Sequence, residues 1–166
     1  QGIRFEGQKF ERQPAMNELL PPEKRTPRQR MISIANGYFD TLQLNDGTLF
    51  VRFHHDCQRV ENGVQTTHNP EFARVVPVAA LGCEAQLRLG NYRYDDRLRA
   101  RRFELVDEER GLVFAAAFID HCGRLADYRL TDGRVVTSHV RRPHSFYLLE
   151  LFKIEDGMIR QIEANF

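Results

Sequence analysis

The chain contains no tryptophan, no CxxC pair and no excess of charge of either sign. Each absence removes a class of function. Three cysteines, Cys57, Cys83 and Cys122, fit no zinc spacing. They leave two alternatives open: a Cys57–Cys83 disulfide with Cys122 free, or three small buried thiols. A formal net charge of +1 provides no long-range field to draw in nucleic acid or an acidic membrane. The one basic stretch, Lys24 to Arg30, reads as a solvated lead into a helix rather than a phosphate site. No apolar run approaches the ~18 residues of a membrane helix. A phosphate-binding loop, a nucleophile elbow and a dinucleotide fingerprint are also missing. The chain starts at Gln1 rather than Met, as expected of a processed product, so localisation is not read from it.

What is present is a globular composition of one-domain size: 166 residues, 42% hydrophobic and 28% charged. Twelve Phe and five Tyr predict a core or pocket built from aromatic surface. Residues 1–27 carry Gly2, Gly7, Pro14, Pro21, Pro22 and Pro27 and read as an arm, with a short amphipathic turn near Ala15–Leu20. From Arg28 to Leu44, Met31, Ile34, Ala35, Tyr38, Phe39 and Leu42 recur at helical spacing. Thr26 is placed to cap that helix and Pro27 to open it. Arg59–Glu61 reads as a brief strand closed by Asn62-Gly63, and Val78–Leu89 as a second helix. Strands follow over Arg97–Val106, Leu112–His121, Ser145–Ile154 and Met158–Phe166, with a polar excursion at 123–140. Helices followed by long strands predict an α+β cone: a curved antiparallel sheet wrapped around N-terminal helices, enclosing a pocket.

Three stretches carry a family resemblance: Ile34–Leu42 ending in Asn45-Asp46-Gly47, Phe53–Gly63, and Ile154–Glu163 with its D-G-x-I-x-x-I pattern. Together they resemble the opening helix, first strand and terminal hairpin of the nuclear transport factor 2-like (SnoaL-like) superfamily, over residues 28–166. The resemblance implies a pocket-forming fold shared by isomerases, dehydratases, epoxide hydrolases, polyketide cyclases and lyases, and by non-catalytic transport and dimerisation modules. Fold alone does not choose among them. It also implies a small hydrophobic, aromatic or polycyclic substrate, and the outer sheet face is expected to support a homodimer through a two-fold contact. No complete acid–base set of one member overlays this chain.

Chemistry in such a pocket, with no cofactor and no metal, needs a base, an acid or oxyanion donor, and exclusion of water. His121 ends an apolar strand and is the first candidate base. In His54-His55-Asp56, His55 or Asp56 is a candidate base or its orienting partner, and His54 and His55 point apart in an extended segment, so at most one of those two faces the cavity. A metal there is not expected. Tyr38, on the apolar helix face, offers a hydroxyl donor. Glu150 sits inside an apolar strand and needs a partner or a raised pKa. Tyr92 and Tyr94 are candidate aromatic walls, with Tyr147 and Phe118 as further substrate contacts. Arg97, Arg99 and Arg101 share one strand face, and Arg99 is the candidate contact to an acidic or phenolic group. Strand parity separates two site sets, Asp120 with Glu150 or His121 with Tyr147, and the second is favoured. Two functions follow: a cofactor-independent acid–base enzyme, or a binding or dimerisation module of the same fold.

Overall fold

The computed structural model describes residues 14–138 and 140–166. Expectations for the first thirteen residues of the arm fall outside them. Pro14–Asn17 and Pro22–Lys24 form single 3-10 turns. They lie against the sheet: Met16 and Leu20 are buried, and Leu20 N–H donates to the Glu109 carbonyl.

Helix α1 spans Arg28–Leu44, as its periodicity predicts, and buries Met31, Ile34, Ala35, Tyr38, Phe39 and Leu42. Its start differs from expectation. Pro27 occupies the N-cap position and no side chain caps the helix. Thr26 instead accepts a hydrogen bond from Gly157 N–H, tying the helix entry to the last hairpin. Asn45, in a left-handed conformation, ends it. Gly37 lets strand-entry residues approach, since an added Cβ would lie 2.9 Å from Val51 Cγ1 and 3.2 Å from the Phe50 carbonyl.

Strand β1 runs over Phe53–Glu61, longer than the brief strand predicted, and turns at Asn62-Gly63 into β2, Val64–Gln65. The second helix is shorter than predicted. Pro77–Ala80 is a 3-10 turn, and α2 covers only Cys83–Leu89 because Gly82 interrupts the two. Strands β3 (Arg97–Asp107) and β4 (Leu112–His121) follow. The polar excursion contains its own hairpin, β5 (Asp127–Arg129) with β6 (Val135–Thr137). Strands β7 (His144–Glu155) and β8 (Met158–Asn165) close the chain.

The main sheet has the order β2-β1-β8-β7-β4-β3. It is mixed rather than wholly antiparallel: β1 joins β8 in parallel, and every other pair is antiparallel. The core lies between α1 and the inner sheet face, where Tyr38 and Phe39 pack edge-on against Phe152.

Gly111, in the β3–β4 turn, is a position where only glycine fits. Its φ is +63°, and an added Cβ would lie 2.2 Å from the Ile154 carbonyl oxygen and 2.6 Å from Leu20 Cδ1. Gly111→Ala is expected to lower stability by roughly 2 kcal/mol in urea unfolding, from backbone strain and crowding together. An unchanged midpoint would refute that account.

Candidate functional site

Polar side chains converge on the inner face from five elements. The register explains which. Along β4 and β7 the partners are Ala115 with Glu150, Ile119 with Phe146 and His121 with His144. Odd positions of β4 therefore share a face with even positions of β7. On that face lie Val113, Ala115, Ala117, Ile119 and His121, beside Leu148, Glu150 and Phe152, all buried. Neither predicted set is the one formed, because His121 shares the interior with Glu150. Asp120 and Tyr147 lie on the outer face with Phe118, whose ring centroid is 5.1 Å from that of Tyr147.

Arg59 is the hub. It is 2% exposed, on the same side of β1 as the buried Cys57. Its guanidinium meets Glu61 at 2.8 Å and donates to Gln86 Oε1 at 2.8 Å, to the Tyr92 hydroxyl and to Thr66 Oγ1. Gln86, on α2, is locked in turn: its amide nitrogen donates to the carbonyls of Thr66, Val78 and Leu81, so its oxygen must face Arg59 and Tyr92. Burial opposes the charge of Arg59, but Tyr92, Glu61 and Tyr38 outweigh it and hold the group protonated.

Toward one end of this belt, His121 Nε2 lies 2.7 Å from Asp95 Oδ1, both groups buried. Burial raises the Asp95 carboxyl, and the hydrogen bond and charge of His121 partly offset that. With Nε2–H donated to Asp95, Nδ1 is the ring nitrogen left to face the interior. That nitrogen is buried and has no hydrogen-bond partner. Aromatic rings surround the imidazole, with centroid separations of 4.5 Å (His144, planes at 7°), 5.2 Å (Phe146) and 5.8 Å (Tyr94, planes at 20°).

Toward the other end, Tyr38 hydrogen-bonds to Glu150, whose Oε2 is buried and unpartnered. Burial pushes the Glu150 carboxyl up to about 8; Arg59 pulls it back and Glu61 adds to the rise. Near neutral pH Glu150 is thus mostly a protonated acid, with an O–H to donate. Burial holds the Tyr38 phenol well above its ordinary value, so its hydroxyl also keeps its proton. Glu150 and His121 lie six ladder positions apart, about 20 Å along the strand at ~3.3 Å per residue. Arg59 and Glu61 act electrostatically on both Asp95 and Glu150 and so connect the two ends.

The remaining predicted residues lie elsewhere. His55 and Asp56 are exposed on the outer surface, where His54 contacts both. The cause is an irregularity in β1: Phe53 pairs with Ile159 and Gln58 with Gln161, so five steps of β1 span two of β8. The arginine stripe is also broken. Arg97 and Arg99 bind Asp120 at 2.8 Å on the outer face, with Arg99 over the Phe118 ring. Ala100, at φ 52°, interrupts the ladder, and Arg101 turns instead to Asp40 and Asn36 of α1. Arg99, Phe118 and Tyr147 therefore do not line the interior. Tyr92 does, through Arg59 and Gln86. Sequence reasoning missed Arg59, Gln86 and Asp95. A signal existed for Arg59, which shares strand parity with Cys57; Asp95 lies in a turn and gives none. A surface depression lined by Arg30, Ser33, Leu49, Phe50, Arg52 and Gly157 holds none of these groups.

Cys57 and Cys83 form a disulfide with Cα atoms 5.8 Å apart, and Cys122 is free. No curated protein matches the chain in sequence. The model of a domain of unknown function, DUF8021, matches residues 24–166. The chain belongs to that family. Among solved structures, this DUF8021 chain is similar to a candidate polyketide cyclase from Xanthomonas campestris pv. campestris, at a TM-score of 0.53 and 15% identity, covering 84% of this chain and 91% of that one. A second candidate polyketide cyclase, from Silicibacter sp. TM1040, aligns at a TM-score of 0.51 and 16% identity over 82% and 88%. The DUF8021 domain thus has the nuclear transport factor 2-like, SnoaL-like cone. At these identities the likeness extends to fold and no further.

Proposed function

We propose that this DUF8021 protein is a cofactor-independent enzyme that moves protons on a small, hydrophobic, aromatic or polycyclic molecule held inside the cone. One observation carries the reading: His121 Nδ1 and Glu150 Oε2 are buried on the inner face without partners. Buried polar atoms are costly unless hydrogen-bonded, and such exceptions concentrate where a ligand completes the bonding. In this reading His121 accepts a proton at Nδ1, and Asp95 is a positioning residue that fixes its tautomer. Glu150 and Tyr38, about 20 Å along the strand from His121, are too distant to stabilise charge developing at the substrate's reacting carbon and form a second, separate donor pair inside the cone. The carboxyl groups of Glu61 and Asp95 near His121 and Arg59 favour a neutral molecule over an anion. The isomerase, dehydratase, cyclase and lyase outcomes all use these same steps. Candidate cyclases of the same fold add plausibility to the class, not to the substrate.

The test is a panel of neutral phenols, aryl ketones and polycyclic ketones, followed by NMR for proton exchange at carbon and for product. His121→Gln is expected to lower kcat at least a hundredfold on a substrate so found, and Glu150→Gln to change it far less. Asp95→Asn should lower kcat while KM changes little, and Tyr147→Phe should leave both within twofold. Binding of these probes is also expected to shift the His121 Nδ1 resonance. No binding inside the cone, or turnover indifferent to His121→Gln, would favour the alternative, a binding or dimerisation module. The proposal includes a homodimer through the outer sheet face, where Leu105 and Tyr147 are exposed. A strictly monomeric mass in light scattering would remove the dimer and leave the enzyme reading intact.

A further inference from the structure

The irregular part of β1 expels three donor groups to one place on the outer surface. Neighbouring residues of a regular strand point to opposite faces, which would separate His54 from His55. Here three more residues lie on β1 than on β8 between the paired positions Phe53 and Gln58. The rings of His54 and His55 come to 4.4 Å with 37° between their planes, and His54 Nδ1 contacts Asp56 Oδ1. One ligand atom from each of His54, His55 and Asp56 lies within 4.8 Å of the others.

From this we infer a divalent transition-metal site formed by His54, His55 and Asp56, distinct from the interior polar belt. Its donors are two imidazoles and a carboxylate, a set that suits zinc or copper and disfavours magnesium and calcium. Tetrahedral ligands at about 2.1 Å from zinc lie about 3.3 Å apart. The ligand atoms, all within 4.8 Å of one another on exposed or half-buried side chains, are near that spacing.

The segment is also anchored on both sides. Phe53 is 6% exposed, and Cys57 is buried and bonded to Cys83. Short irregular backbone between two fixed points pre-organises its side chains. The donors contribute little to the core: His55 and Asp56 are exposed, and His54 is half-buried. One charge works against a cation. Arg160 acts on Asp56, although its guanidinium is held by Glu155 at the same time. Three protein ligands leave a fourth position for water or an external donor.

Calorimetric titration of Zn²⁺ into the intact, EDTA-treated, disulfide-bonded protein tests this directly. One equivalent is expected, accompanied by shifts of the His54 and His55 ring nitrogens in NMR. His54→Ala, His55→Ala and Asp56→Asn should each weaken binding at least tenfold, with circular dichroism unchanged because the side chains lie outside the core. Cys122→Ser and His144→Ala should bind as the wild type does. Absence of binding, or Zn²⁺ bound equally by all three site variants, would overturn the site. Loss of binding in Cys122→Ser alone would place the ion elsewhere and overturn it as well.

Discussion

The wild-type protein is expected to lose stability as the pH rises from 5 to about 8 and to level off above that, and Glu150→Gln is expected to remove most of that slope. The Glu150 carboxyl is moved from an ordinary value of 4.5 to about 8 in the folded state, chiefly by burial. Between those values the folded protein holds a proton that the unfolded chain has released. Raising the pH across this window therefore favours unfolding. The contribution is fully present below pH 4.5 and is gone once the pH passes about 8. At 1.36 kcal/mol per pK unit the full swing is roughly 5 kcal/mol, an upper figure for one residue. Asp95, also raised by burial, acts in the same direction. Asp120, held low by Arg99, Ser145 and Arg97, works in the opposite sense, but only at strongly acid pH. Urea unfolding of wild type and Glu150→Gln at pH 5, 7 and 9 reads the difference. Parallel curves would mean that Glu150 is ionised in the folded protein. The O–H donor assigned to it near neutral pH would then be lost as well.

The elements that sequence periodicity placed well are those whose contacts are local. Helix α1 has its predicted bounds because six apolar residues at three- and four-residue steps determine one face. The hairpins at Asn62-Gly63 and Asp156-Gly157 follow from turn residues that tolerate positive φ. What sequence cannot supply is register. Parity within β4 and within β7 was legible, but whether His121 shares a face with Glu150 or with Tyr147 depends on a pairing made across space. The irregularities at 54–57 and at Ala100 have no residue signature, yet each redirects a candidate group: His55 and Asp56 outward, Arg101 toward α1. Asp95 was illegible for a similar reason. A turn aspartate is common, and only the closure of the sheet brings it to His121.

Reducing the Cys57–Cys83 bond is expected to cost about 3.5 kcal/mol, from the loop entropy of a 26-residue separation. For a chain of this size that corresponds to a fall of about 10 °C in Tm. The loss should also have a location. Helix α2 has seven residues, too few to persist without tertiary support. It is held by the disulfide at its first residue, by Leu87 in the core and by the Gln86 bonds. Gln86 in turn orients Arg59, which joins the Asp95–His121 and Tyr38–Glu150 ends of the polar belt. Cutting the bond with dithiothreitol, or by Cys57→Ala with Cys83→Ala, should therefore raise amide exchange across residues 83–89 before the sheet is affected. Calorimetry with and without reductant measures the global term, and hydrogen exchange measures the local one. A lower Tm with unchanged exchange at 83–89 would make the bond a constraint on the unfolded chain alone. Faster exchange there, with a shifted His121 ring signal, would make it a brace for the site. An unchanged Tm would contradict both, and would mean that packing around Leu87 and Gln86 already holds α2 in place.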